Sequence, residues 1–380
     1  MFAKSRCRAT WRTAALLTAC ITLCACATQT VQTPPVPELK DHPRYDIESV
    51  DLLGMSTEMR QFVEAQARGH SLEDDRAWNL AYAMLDPFVL DFTYDPQVTL
   101  TAREAFRTRR GNCLTFSNMF VAMARQAGLN AWYREVEIPP EWSSIDDTLL
   151  VSMHVNAATA QRGKEYVVDV SRRRVRDGER VRRLSDHEAE AMFYNNLGAH
   201  ALVANDTPMA YAYFRKAISI HDQLPYAWTN LGVVLRRNEQ TEDAILAYRT
   251  ALEIDDHHSV ALNNLFSIYD EDGPAEAAAE LQARVERNRR RNPFYLNYLA
   301  EVAIEEELWE DAIRYANRAI RLQEDEYRFY YRLAQSQYQA GEHNDAQNNL
   351  QMARQLAPEG VNLAELVLPG ELPAPSQEES

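Results

Sequence analysis

Beyond residue 26 the sequence holds one cysteine, Cys113; the other four, Cys7, Cys20, Cys24 and Cys26, crowd the start of the chain. A disulfide in the body of the protein would therefore have to reach back into that segment. Positive charge is short as well. Fifty-six acidic residues stand against 40 basic ones, and a formal net charge of -16 repels phosphate backbones outside a local basic patch, so nucleic acid is not an expected partner. No GxxxxGK[ST] loop or GxGxxG turn is present to cradle a nucleotide. Among the 9 histidines, His42, His70, His187, His200, His221 and His343 lack metal-ligand spacing, while His257 and His258 fall at a boundary between helical units, where an exposed turn is expected. Neither a metal nor a cofactor is implied. At 380 residues the chain is too long for one ordinary domain.

What is present begins with a targeting pattern. Lys4, Arg6, Arg8 and Arg12 form a positive region ahead of "TAALLTACITLCA", an apolar run too short to be a permanent membrane helix. Leu23, Cys24, Ala25 and Cys26 resemble the lipobox of bacterial lipoproteins. That resemblance implies that residues 1–25 are removed and that Cys26 is lipidated. Cys24 fits less well, because Leu23 stands where the lipobox wants a small residue. Ala27 lacks the aspartate that commonly retains lipoproteins at the inner membrane, which implies a bacterial envelope protein at the outer membrane, facing the periplasm. The alternative is an ordinary cleaved signal peptide. After processing Cys113 has no disulfide partner within the chain, and a lone thiol in an oxidising compartment asks for an explanation.

Residues 26–43 are polar and proline-rich without periodicity and read as a lipidated cysteine and an extended tether, with a reach on the order of 50 Å. Residues 44–190 read as a mixed α and β domain. "STEMRQFVEAQ" and "DDRAWNLAYAML" have helical spacing, and Asp86-Pro87 stops the second. Thr101 with Glu104 predicts a capping box ahead of a helix ending near Thr108. Phe116, Phe120, Met123 and Ala127 predict a helix that begins at Asn112 or Cys113 and stops at Gly128. "NAWYREVEI", "LLVSMHVNAAT" and "KEYVVDVS" read as strands.

Cys113 sits where chemistry is favoured. A helix N-terminus stabilises thiolate, Gly111 lets substrate approach the backbone, and the Cys113 N–H can help hold an oxyanion. A single cysteine on an apolar helix face is, taken alone, most often a small core hydrophobe; the glycine before it and its place at the helix start favour the nucleophile. A thiolate also needs a proton partner that is itself oriented, and adjacent strands can bring His154 beside Asp169. The order Cys, His, Asp, the helix start after "RRGN", and the histidine strand followed by an aspartate strand resemble the transglutaminase-like superfamily over residues 75–172. By that resemblance the fold is papain-like, Cys113 is the nucleophile, His154 the general base and acid, and Asp169 the residue that fixes the imidazole. Asn156 departs from the pattern, since many members carry an aromatic two positions after the histidine.

From residue 191 a 34-residue period takes over. Units starting at 191, 225, 259, 293 and 327 keep Leu197, Leu231, Leu265, Leu299 and Leu333 at position seven, and Ala210, Ala244, Ala278, Ala312 and Ala346 at position twenty. These five units, residues 191–360, resemble tetratricopeptide repeats. The third is weakest, with Gly273-Pro274 in its turn and Gln282 where an aromatic is usual. Asn196, Asn230 and Asn264 at position six, with Asn195, Asn263 and Asn297 at position five, lie on the helix that lines the concave groove in this family. Amides at that spacing suit an extended peptide backbone, although solvent-facing polar residues would look the same. Residues 361–380 form an acidic, proline-rich tail, and the basic run "SRRRVRDGERVRR" reads as a solvated hairpin or linker.

The expected fold is thus an α+β papain-like, transglutaminase-like domain followed by an all-α tetratricopeptide-repeat solenoid. The expected function is amide acyl transfer, hydrolysing a peptide or amide or cross-linking it, by a lipid-anchored protein whose repeats recruit a protein or peptide. The alternative is a non-catalytic periplasmic adaptor that binds proteins through its repeats.

Overall fold

The computed structural model describes residues 31–67, 73–136, 154–161, 164–170, 180–357 and 361–368. Its first domain opens with α1 (Thr57–Ala67) and α2 (Glu73–Leu85), followed by β1 (Thr93–Tyr94), α3 (Ala102–Thr108), β2 (Arg110–Gly111) and α4 (Cys113–Gln126). Then come β3 (Ala131–Val136), β4 (His154–Gln161), β5 (Lys164–Val168) and β6 (Val181–Leu184). The last four strands form one antiparallel sheet in the order β5-β4-β3-β6, while β1 and β2 form a separate parallel pair.

Helix α4 is the axis of this domain. Every residue from Leu114 to Ala124 is buried, so the helix is solvated at its ends alone. Its start is fixed by Asn112, whose Oδ1 accepts from Thr115 N at 2.9 Å. Its end is a Schellman turn: Gly128 takes φ 78, Leu129 N donates to Ala124 O at 2.9 Å, and Gly128 N donates to Arg125 O at 3.0 Å. The sheet packs on α4 through Tyr133, Val155 and Ala157, and the buried Tyr133 hydroxyl donates to Asn118 Oδ1 at 3.0 Å. The capping box of Thr101 and Glu104 is formed at the start of α3.

Ten helices follow in five antiparallel pairs: α5 (Asp186–Val203) with α6 (Thr207–Ile220), α7 (Pro225–Arg237) with α8 (Thr241–Ile254), α9 (Ser259–Asp272) with α10 (Ala275–Arg289), α11 (Pro293–Glu305) with α12 (Trp309–Leu322), and α13 (Tyr327–Gln339) with α14 (His343–Leu356). Small residues meet large ones within each early pair. A Cβ added at Gly198 would stand 2.5 Å from the Phe214 ring, and one at Gly232 would stand 2.5 Å from Tyr248. Ala210, Ala244, Ala312 and Ala346 are fully buried where paired helices touch.

The α+β domain and the repeats share a core that runs unbroken into the third pair, whereas the fourth and fifth pairs hold clusters of their own. The break follows α10, where the exposed Gln282 supplies no aromatic to carry the packing across. At the domain junction Arg125, in the last turn of α4, forks onto Asp186, in the first turn of α5, at 2.6 and 2.8 Å. Each charge there complements the dipole of its own helix end.

Four local readings differ from the sequence expectation. The first repeat helix begins at Asp186, ahead of residue 191, because Ser185 and Glu188 make a capping box directly after β6. The basic run is not all linker: Val181–Leu184 is a strand paired with β3, Arg182 is held by Glu135 and Glu188, and Arg183 stacks over Trp132 at 4.4 Å. Residues 171–179 of that run lie outside the described residues. His258 is buried as the N-cap residue of α9 and packs edge-on against Tyr226, while His257 remains exposed.

Finally, residues 31–50 do not hang free but run as a strap along the first two repeats. Gln223 accepts from Val31 N at 3.0 Å and donates to Val31 O at 2.8 Å, and Gln240 does the same for Lys40 N and Glu38 O at 2.8 and 2.9 Å. Tyr211 donates to Pro37 O at 2.9 Å, and the Tyr194 hydroxyl bridges Val50 N and Glu48 O. A segment without periodicity is ordered here by side chains that supply the partners its backbone lacks. Among the described residues no helix is long and apolar enough to cross a membrane.

Candidate active site

The N-terminus of α4 is built to a tight tolerance. Asn112 donates Nδ2 to Thr99 Oγ1 at 2.7 Å and its backbone N to Val98 O at 2.8 Å, so this buried residue ties the cap to the preceding loop. Thr115, one turn along, donates to Val98 O at 3.1 Å and accepts from Leu100 N at 2.8 Å. Gly111 is required by that arrangement. A Cβ there would sit 2.2 Å from Thr115 Cγ2, and Thr115 is held from both sides. Cys113 is therefore the first helical residue, half-buried, with its sulfur at the positive end of a long buried helix.

His154 opens β4 and Asp169 directly follows β5. Because β4 and β5 pair with Ala157 opposite Val168, the carboxylate comes level with the histidine strand. His154 Nε2 lies 2.5 Å from Asp169 Oδ2, and both side chains are less than one-tenth exposed. The imidazole also hydrogen-bonds to Cys113. With Nε2 committed to Asp169, Nδ1 is the nitrogen left for the sulfur. Burial alone would push the His154 pKa down, but the hydrogen bonds and charges of Asp169 and Cys113 outweigh it and raise the value to about 9. The structure thus joins Cys113, His154 and Asp169 in one chain of contacts.

Asn156, which sequence reading marked as a departure in pocket shape, has another part here. Its Nδ2 donates to Asp169 Oδ2 at 3.1 Å from full burial. Tyr94 is a second residue that sequence reading passed over. It stands opposite Gly111 in the β1–β2 register, and its phenol lies within electrostatic reach of Cys113 and Asp169. No local signal in "FTYDP" marks it, because its importance comes from that pairing.

A groove of about 660 Å³ opens on the Asp169 side of this centre, between α2 and β5. Ala77, Trp78, Ala81 and Tyr82 form one wall, and Tyr166 to Asp169 the other. Trp78 and Tyr82 are exposed and stack 5.1 Å apart. Burial lowers the pKa of His200 on α5, while the charge of Asp95, next to Tyr94, works against it. Asp95 N itself donates to Gly111 O at 3.0 Å.

The six asparagines expected to line the repeat groove divide. Asn230 donates to the buried Asn195 at 3.0 Å, and the buried Asn263 donates to Ser259 O at 2.7 Å while accepting from Arg289 at 3.1 Å. Asn195 and Asn263 are thus buried in contacts within the repeats, Asn195 with α7 and Asn263 with its own helix and α10. Asn196, Asn264 and Asn297 are half-buried. The exposed turn Asp255, Asp256 and His257 gathers three possible ligand atoms within 4.8 Å, but His257 N already bonds Asp255 Oδ1, as an Asx turn requires. Cys26 lies outside the described residues.

Comparison with known families agrees with this layout. The transglutaminase-like superfamily matches residues 61–171, and the tetratricopeptide repeat matches residues 179–368, half of the chain. Among solved structures the chain is similar to pilF of Pseudomonas aeruginosa, at 21% identity over 48% of this chain and 83% of that one, with a TM-score of 0.32. It is similar to MamA of Desulfovibrio magneticus RS-1 at 16% identity over 45% of this chain and 96% of that one, with a TM-score of 0.26. YrrB, described as a tetratricopeptide protein with an unusual peptide-binding site, shares 15% identity over 45% of this chain and 88% of its own, with a TM-score of 0.26. No curated protein matches the sequence.

Proposed function

Because the chain belongs to the tetratricopeptide repeat family and carries a transglutaminase-like domain ahead of its repeats, we propose that it is a lipid-anchored envelope enzyme performing acyl transfer on an amide of a polypeptide recruited by those repeats. The reading rests above all on one observation: Cys113 at the start of α4 hydrogen-bonds to a histidine that Asp169 holds at 2.5 Å.

Cys113 thiolate attacks the amide carbonyl, the C–S bond forms, and the carbonyl electrons move to oxygen. His154 imidazolium then gives its proton to the leaving nitrogen as the C–N bond breaks, leaving a thioester and a free amine. Water or a second amine next attacks the thioester, with His154 taking its proton, and either an acid or a new amide is released together with the thiol. Asp169 keeps the imidazole oriented and stabilises its charge without being protonated. The charge of Asp95, the residue after Tyr94, is felt at His200 on α5, which supports delivery of substrate from the side of the first repeat. Anchorage at Cys26 and an outer-membrane address facing the periplasm belong to the same proposal and rest on the sequence pattern.

Thiol reactivity tests the chemistry. Iodoacetamide near pH 6.5 is expected to alkylate Cys113 much faster than a free thiol, and His154→Ala to abolish the difference. A folded protein whose Cys113 reacts no faster than a free thiol would turn the reading toward an adaptor. For substrate, a Cys113→Ala form is expected to retain an envelope protein that the wild type releases.

A further inference from the structure

The acyl-transfer reading leaves one requirement open. A tetrahedral oxyanion takes two donors in most acyl-transfer centres, and the start of α4 supplies one of them, the Cys113 N–H.

The side chains around the sulfur can be taken in turn. Asn112 Nδ2 is committed to Thr99, Thr115 Oγ1 to Val98 O, and Ser117 Oγ to Cys113 O at 2.8 Å. Asn156 Nδ2 is committed to Asp169, and His154 serves as the acid. Tyr94 is different. Thr93 N donates to Arg109 O at 2.8 Å and Asp95 N donates to Gly111 O at 3.0 Å, so the backbone on both sides of Tyr94 is pinned to the strand that leads into Cys113. The parallel register lays Tyr94 directly opposite Gly111, two residues before the nucleophile. The residue is 45% exposed, so it stands at the open face, where a substrate carbonyl must arrive. Its hydroxyl has no hydrogen-bond partner among the described residues. Burial, with the nearby Cys113 and Asp169, pushes the phenol up to about 12, which keeps it a donor at any working pH.

We infer that the Tyr94 O–H is the side-chain donor of the oxyanion hole, acting with the Cys113 N–H on the carbonyl oxygen of the bound substrate. The inference rests on the acyl-transfer reading above. The phenol donates a hydrogen bond and transfers no proton. The oxyanion gains that bond as the S–C bond forms, and gives it back when the C–N bond breaks and the carbonyl is restored.

Two reagents separate this role from support of the fold. p-Nitrophenyl acetate acylates a thiolate through an oxyanion, whereas iodoacetamide alkylates it at a tetrahedral carbon and develops none. In single-turnover measurements on the full chain, Tyr94→Phe is expected to slow acylation by p-nitrophenyl acetate by on the order of 10²-fold. The same variant is expected to keep the alkylation rate within about twofold and its melting temperature unchanged. Acylation within about threefold of wild type would overturn the inference, as would an equal fall in both rates, which would mean that Tyr94 tunes the thiolate. If the wild type shows no Cys113-dependent acylation at all while its thiol alkylates, the acyl-transfer reading itself fails and takes this inference with it.

Discussion

Asn156 Nδ2 and His154 Nε2 converge on the same oxygen of Asp169, at 3.1 and 2.5 Å. The carboxylate is thereby held by two donors two residues apart on β4, and it cannot rotate toward solvent without breaking both. A hydrogen bond to a charged group contributes about 1.5–3 kcal/mol. Asn156→Ala is accordingly expected to leave the protein folded and to lower kcat/KM by roughly tenfold, because Asp169 then aligns the imidazole less well. An unchanged kcat/KM for a folded Asn156→Ala form, measured on any turned-over amide or ester, would show that Asp169 needs no second donor.

The pH response of His154 follows from the same cluster. Its pKa is raised to about 9 in the folded protein, against about 6.5 when unfolded. Between these values the native state binds the extra proton, so stability falls as pH rises. The contribution is complete below about pH 6.5 and is lost as pH passes through about 9. Activity is expected to show a falling limb near pH 9, where the general acid is deprotonated. Asp169→Asn, which removes a charge that raises the histidine, should move that limb to lower pH; a limb that stays in place would separate it from His154.

At Gly111 the argument is steric. The Cβ of Gly111→Ala would meet Thr115 Cγ2 at 2.2 Å and Cβ at 2.6 Å, and the hydrogen bonds of Thr115 to Val98 and Leu100 prevent retreat. Overpacking of this kind costs about 1–3 kcal/mol and here falls on the cap of the nucleophile's helix. Urea denaturation should report the loss, and alkylation of Cys113 should slow with it. A variant as stable and as reactive as wild type would mean that the turn relaxes freely.

Cys113 was legible as a candidate from the glycine and cap before an apolar helix, whereas His154 and Asp169 gained meaning only together with it and through the resemblance of the Cys, His, Asp order to a known family. Asn156 was legible only as a missing aromatic, since its bond to Asp169 depends on the β4–β5 register, which pairing decides. Tyr94 gave no signal for a similar reason. The repeats were readable to the residue in four of five units because their period is written in alanines and leucines that must pack; the first helix starts early because its cap lies in the preceding strand. The strap was misread as a free tether because a polar, proline-rich stretch shows no periodicity whether it is loose or held. Gln223 and Gln240, which hold it, lie about 200 residues downstream.

His258 was read as an exposed turn residue, and its burial gives the repeats a pH dependence of their own. Thr229 spends its hydroxyl hydrogen on Pro225 O at 2.9 Å, so in the 3.3 Å contact with His258 it is the Nε2–H that donates. The second proton would have to enter at Nδ1 of a ring that is buried and packs edge-on against Tyr226. Burial lowers the His258 pKa to about 4, with the charge of Asp255 opposing the shift. The unfolded chain therefore binds the proton first as pH falls below about 6.5, and stability drops down to about pH 4; above about 6.5 the contribution is complete. Urea denaturation of wild type and His258→Gln at pH 7 and pH 4.5 should show the stability gap between them narrowing at the lower pH. A gap independent of pH would mean that His258 accepts its second proton in place, without opening the repeat.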